Sequence, residues 1–98
     1  MTNKLEEARN IINKVDAQMA ELFVERMKAA EMVSEYKKEF GLPIFDPKRE
    51  EEVIEKNSVL IENEVIKAYY IDYLKNLMGV SRAYQYRLQN GLKVAYSG

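Results

Sequence analysis

Between Leu5 and Phe40 there is neither glycine nor proline, and apolar residues return every three or four positions. Leu5, Ala8, Ile12, Val15, Met19 and Leu22 set a stripe, and Ala29, Val33, Tyr36 and Phe40 continue it. The spacing follows the α-helical repeat and predicts one helix over about 4–40. Such a helix is about 50 Å long at about 1.5 Å per residue, against roughly 30–35 Å for the diameter of a compact globule of this size. It outruns the rest of its own chain, so a second subunit is expected to pack along it.

Gly41, Pro43 and Pro47 then punctuate the chain and predict a loop over 41–46. Asp46-Pro47-Lys48-Arg49-Glu50 has the form of a helix start: aspartate as N-cap, proline at the first helical position, an acidic residue in the first turn. A short helix over about 47–56 is expected, broken at Asn57-Ser58. A third helix is expected over about 59–89, with Val65, Ile71, Leu74, Met78 and Leu88 turned inward and Asn90-Gly91 ending it. Residues 90–98 are expected to fray. The expectation is one all-α domain over 1–98: long helix, loop, short helix, long helix.

Composition narrows the chemistry. The 98 residues carry 15 basic and 16 acidic side chains, a net charge of −1, which argues against bulk nucleic-acid binding. There is no cysteine, hence no disulfide, thiolate nucleophile or cysteine-based zinc site. There is no histidine, which removes the commonest general base and the commonest transition-metal ligand. Any catalysis must rest on carboxylates, amines, guanidiniums and hydroxyls, and neither metal nor cofactor is expected. The first residues lack an apolar signal segment and no run approaches a membrane span, so the cytoplasm is the expected location, with no membrane partner.

Several polar residues fall where the stripes should be apolar. The first stripe, extended beyond Leu22, lands on Arg26, and Lys37 follows eleven residues later. Eleven residues amount to about 20° around a helix and about 16 Å along it, so the two cations face the same way and can lean toward one small anion. For Arg26 alone, snorkelling or pairing with a core glutamate is the more ordinary reading. On the third helix Ser81 and Gln85 replace apolar residues one turn apart; they suit a ligand or an inter-helix hydrogen bond. Arg49 and Glu50 suit a site or a solvated first turn. Arg9 lies about 25 Å before Arg26 along the helix and reaches such a site only from the other chain of an antiparallel pair; otherwise it is a surface arginine.

In their order and spacing these positions closely resemble the all-helical class of chorismate mutases. The resemblance is carried by Arg9 and Asp16 in Arg-x6-Asp, by Glu25-Arg26, by Lys37, by Pro43-Ile44-Phe45-Asp46-Pro47-Lys48-Arg49-Glu50, and by Ser81-x3-Gln85. It covers about Leu5 to Leu88. It implies an intertwined helical homodimer with two equivalent sites, each completed by the first-helix arginine of the other subunit. It further implies that Arg26 and the partner's Arg9 bind the two carboxylates of chorismate, and that Lys37 and Gln85 hydrogen-bond the ether oxygen. Glu50, with the backbone around Asp46, would hold the ring hydroxyl; Arg49 and Ser81 would complete the lining. The implied reaction, chorismate to prephenate in phenylalanine and tyrosine biosynthesis, is a concerted rearrangement that needs no nucleophile, proton shuttle or metal.

The chain departs from the family pattern around Ser81. Gly79-Val80 precede it where acidic residues are frequent, and Arg82 follows where an apolar residue is expected. Arg82 either points to solvent or adds a cation to the site. Two other readings compete: an isochorismate–pyruvate lyase on the same fold, disfavoured by Glu50, and a non-catalytic dimeric helical regulatory module, which leaves Arg26 unexplained.

Overall fold

The computed structural model describes residues 3–91, which form three helices and no strand: α1 (Lys4–Glu39), α2 (Pro47–Ser58) and α3 (Glu64–Asn90). Each helix starts at a side chain that satisfies otherwise orphaned backbone N–H groups. Asn3 accepts from the Glu6 N–H at 2.9 Å, and Asp46 accepts from the Arg49 N–H at 3.1 Å. Asn63 accepts from both Val65 and Ile66 N–H at 3.0 Å. Gly41 follows the end of α1 at φ 64°, and Gly91 closes α3 at φ 76°, left-handed values that glycine adopts without a Cβ penalty. The Gly91 N–H donates to Arg87 O at 2.8 Å.

α3 packs against both α1 and α2. The apolar core is small: Ala30, Ile44, Leu74 and Met78. Polar ties supplement it. Gln89 donates to the Ser34 carbonyl at 3.1 Å, and Tyr84 donates to Glu31 at 3.1 Å. The bond to Glu31 raises the Tyr84 pKa above its ordinary value, because it favours the protonated phenol beside a negative charge.

Coverage of α1 differs from the expected stripe. Every described residue from Asn3 to Glu25 is exposed, including Leu5, Ile12, Val15, Met19 and Leu22. Ala29, Val33, Tyr36 and Phe40 are exposed as well; the face that α3 covers lies one position further on, at Ala30 and Ser34. The chain measures 57 × 32 × 23 Å, with α1 far longer than what covers it. No helix among the described residues is long and apolar enough to cross a membrane.

The junction of the second and third helices also differs. Asn57 and Ser58 do not break α2 but finish it: the Asn57 amide donates to Val53 O at 2.7 Å and the Ser58 hydroxyl to Glu55 O at 3.3 Å. A turn follows through Leu60 and Ile61 N–H bonds to Asn57 O and Ser58 O. α3 therefore begins at Glu64 rather than near Val59, because the better N-cap is Asn63. Of the residues expected to face inward, Leu74 and Met78 are buried and Ile71 is half-buried. Val65, at 69% exposed, and Leu88 lie outside the stretch from Leu74 to Gln85 that holds the buried residues of α3. From Leu92 onward the expected tail lies outside the described residues.

Replacing Asn63 by Ala removes an acceptor shared by two N–H groups. The expected cost is about 1 kcal/mol, a fall in thermal midpoint of roughly 4–8 °C measured by circular dichroism, with Asn63→Asp close to the parent.

Candidate active site

A cavity of about 310 Å³ lies where the three helices meet, a size that suits a small organic ligand. Arg26, Ala30, Val33 and Lys37 line it from α1, at the three- and four-residue steps that keep side chains on one helix face. The connector supplies Ile44 and Asp46, and α2 supplies Arg49, Glu50 and Val53. From α3 come Met78, Ser81, Arg82 and Gln85, again at steps of three and four.

The connector reaches this cavity because of the turn at Gly41. Leu42 N–H bonds back to Lys37 O at 2.8 Å, and the chain returns beneath the last turn of α1 with Ile44 buried. The Lys37 ammonium donates to Ile44 O at 2.7 Å, which ties it to the connector and leaves two of its hydrogens for other acceptors. Asp46 is committed to capping α2. Arg49 is largely in solvent, 3.7 Å from Glu52. Arg26 is half-buried and, among the described residues, has no acidic partner. The alternative that Arg26 pairs with an acidic side chain of its own chain is thus not what the structure holds.

Ser81 and Gln85 are buried and bonded to each other along α3, not to another helix: Gln85 Nε2 donates to Ser81 Oγ at 3.3 Å. The other end of the amide, Oε1, is buried without a partner. Such an orphan is costly, and a half-turn of the amide exchanges its two ends. The Ser81 hydroxyl then donates to Oε1, and Nε2 is free to donate to a ligand.

Arg82, left between solvent and site by its sequence, is in the cavity. Its Nη1 pairs with both carboxylate oxygens of Glu50, and its Cζ stands 4.9 Å from the centre of the Phe45 ring. Register alone does not place it: Arg82 is four residues beyond buried Met78 but about 100° around the helix from Ser81.

The structure thus brings together Arg26, Lys37, Asp46, Arg49, Glu50, Ser81 and Gln85, and does not bring Arg9 to them; Arg9 is exposed on the uncovered half of α1. Arginine and lysine number four around the cavity against two carboxylates, an excess suited to a dianion. Among the described residues there is no cluster of three or more histidine, cysteine, aspartate or glutamate side chains able to hold a metal ion. The arrangement is fitted to bind, orient and polarise.

Comparison with known proteins gives the same direction. A family model described as chorismate mutase type II matches residues 8–86. A protein named chorismate mutase from Methanocaldococcus jannaschii is 38% identical over 56 residues, an alignment that spans 57% of this chain and 57% of that protein. No solved structure gives a significant match. With a cavity of this make-up on three helices and a family match over most of its length, the chain belongs to the chorismate mutase type II family.

Proposed function

We propose that the protein is a chorismate mutase that converts chorismate to prephenate in the cytoplasm, within phenylalanine and tyrosine biosynthesis, as a homodimer without metal or cofactor. The observation that carries the reading is the pairing, across one cavity, of the uncompensated cations Arg26 and Lys37 on α1 with the Ser81–Gln85 pair on α3. Family membership and the name of the archaeal relative support it.

In the rearrangement the ether C–O bond breaks as a C–C bond forms between the enolpyruvyl methylene and the ring. Electrons shift in a cycle, and no proton leaves or enters. The flexible side chain must be held over the ring, which is a problem of orientation. Arg26 takes one substrate carboxylate and Arg9 of the partner subunit the other. Negative charge grows on the ether oxygen as the bond breaks, and there Lys37 and Gln85 Nε2 donate. Because Lys37 is already fixed against Ile44 O, little reorganisation accompanies the reaction. Glu50 accepts from the ring hydroxyl beside the backbone of Asp46, and Arg49 and Ser81 complete the polar wall.

The open half of α1 supports the dimer. Leu5, Ile12, Val15, Met19 and Leu22 are exposed in the single chain, a run of apolar surface unusual for a monomer. Antiparallel pairing of two such helices buries it and carries Arg9 of one chain toward Arg26 of the other.

Pure protein should consume chorismate absorbance without added metal, and Lys37→Ala should lower the rate at least about 100-fold. Equal rates for the two would overturn the role of Lys37; turnover of isochorismate alone would mark a lyase; inertness toward both would leave a regulatory module. Arg9→Ala and Lys37→Ala chains, each inactive alone, should regain about a quarter of the parent activity on equal mixing, because half of the dimers then hold one intact site. No recovery despite demonstrated subunit exchange would count against a shared site.

A further inference from the structure

A carboxylate in a cavity built for a dicarboxylate is an electrostatic liability. Glu50 is only 23% exposed at its side chain, in a setting where charges are screened less than on an open surface. Unpaired, it would repel both carboxylates of an incoming dianion, and its own side chain would be free to rotate. Arg82 answers both problems. Its guanidinium, 31% exposed, meets both oxygens of Glu50 from another helix, 32 residues away in sequence. The face of Phe45 lies beneath it. One guanidinium nitrogen meets both oxygens, a charge-assisted contact that limits rotation of the carboxylate.

We infer that Arg82 is a positioning residue for Glu50: it holds that carboxylate at the place of the substrate ring hydroxyl and cancels its charge toward the substrate carboxylates. The inference rests on the chorismate reading above. Glu50 remains able to accept from a hydroxyl while paired, since an ionised carboxylate has about four acceptor sites. Arg26, Lys37 and Arg49 then act on the dianion with the Glu50 charge balanced. Gly79 is not needed for the pair: a Cβ there would meet Arg82 Nη2 at 3.7 Å, an ordinary contact.

The experiment is a double-mutant cycle read in kcat and KM on chorismate, with thermal midpoints measured in parallel. Arg82→Leu should lower kcat/KM about 10- to 100-fold, mostly through KM, because it strands a partly buried carboxylate beside the substrate. Arg82→Lys should recover most of the loss. Adding Glu50→Gln to Arg82→Leu should cost nothing further and should restore part of the affinity, since the stranded charge is gone. If the two losses multiply instead, the residues act independently and the inference fails. It fails too if Arg82→Leu lowers only the thermal midpoint, for then the pair is a structural bridge. Should Leu at this position prevent folding, Arg82→Gln serves the same comparison. A parent protein inert toward chorismate would overturn the functional reading and this inference with it; an active parent with multiplying losses overturns the inference alone.

Discussion

A helix of 36 residues must be covered over its whole length, and the remainder of this chain reaches only part of it. α3 and the connector bury residues of α1 only from Arg26 onward; before it every described residue stays exposed, with Met19, Leu22 and Phe23 bordering an open cavity beside Tyr73 and Leu77. Among the described residues four buried apolar ones form the core, and no side chain is wholly enclosed. A core so small gives a chain of this length little stability alone. On the proposed reading the second copy supplies the missing cover, so folding and pairing become one equilibrium whose midpoint depends on concentration.

The same helix explains why the site lies where it does. Its covered stretch carries Arg26 and Lys37 on one face, and the bend at Gly41 returns the chain so that the start of α2 meets that face. α3 closes the third side with neutral and cationic groups. The cavity therefore has a positive excess that protein side chains do not neutralise. Partly buried cations without partners are unfavourable in the empty protein. That cost is released when an anion enters, so part of the affinity is stored in the unliganded state.

The all-helical class was legible because the informative signals were local: no glycine or proline across α1, periodic apolar positions, and Asp46-Pro47 as a start. What was not legible depended on competition between local signals or on partners distant in sequence. Asn57-Ser58 resembles a break, yet both side chains bond back to carbonyls of their own helix and extend it. The start of α3 was placed near Val59, and the cap at Asn63 emerged only from its bonds to the Val65 and Ile66 N–H groups. The apolar stripe of α1 was legible, yet which flank α3 covers was not; Ala30 and Ser34, small and undistinguished, turned out to be the contact. Seven of the eight candidate site residues line one cavity because helix register alone relates most of them. Arg9 is the exception, as no geometry within one chain carries it there. The direction of Arg82 was undecidable without Glu50 and Phe45 beside it, residues of other elements.

The bond from Lys37 to the Ile44 carbonyl bears on how binding divides between enthalpy and disorder. A free lysine side chain retains about 2 kcal/mol of rotamer entropy, which an entering anion would ordinarily have to remove. Here the ammonium is held by a carbonyl that is itself part of the buried connector, so much of that freedom is already gone when the chain folds. The turn at Gly41 thereby reaches into ligand recognition. A connector with another residue at that left-handed position, or with one more residue in the loop, would hold the carbonyl elsewhere. It would return Lys37 to solvent-like motion without altering a single group that faces the cavity.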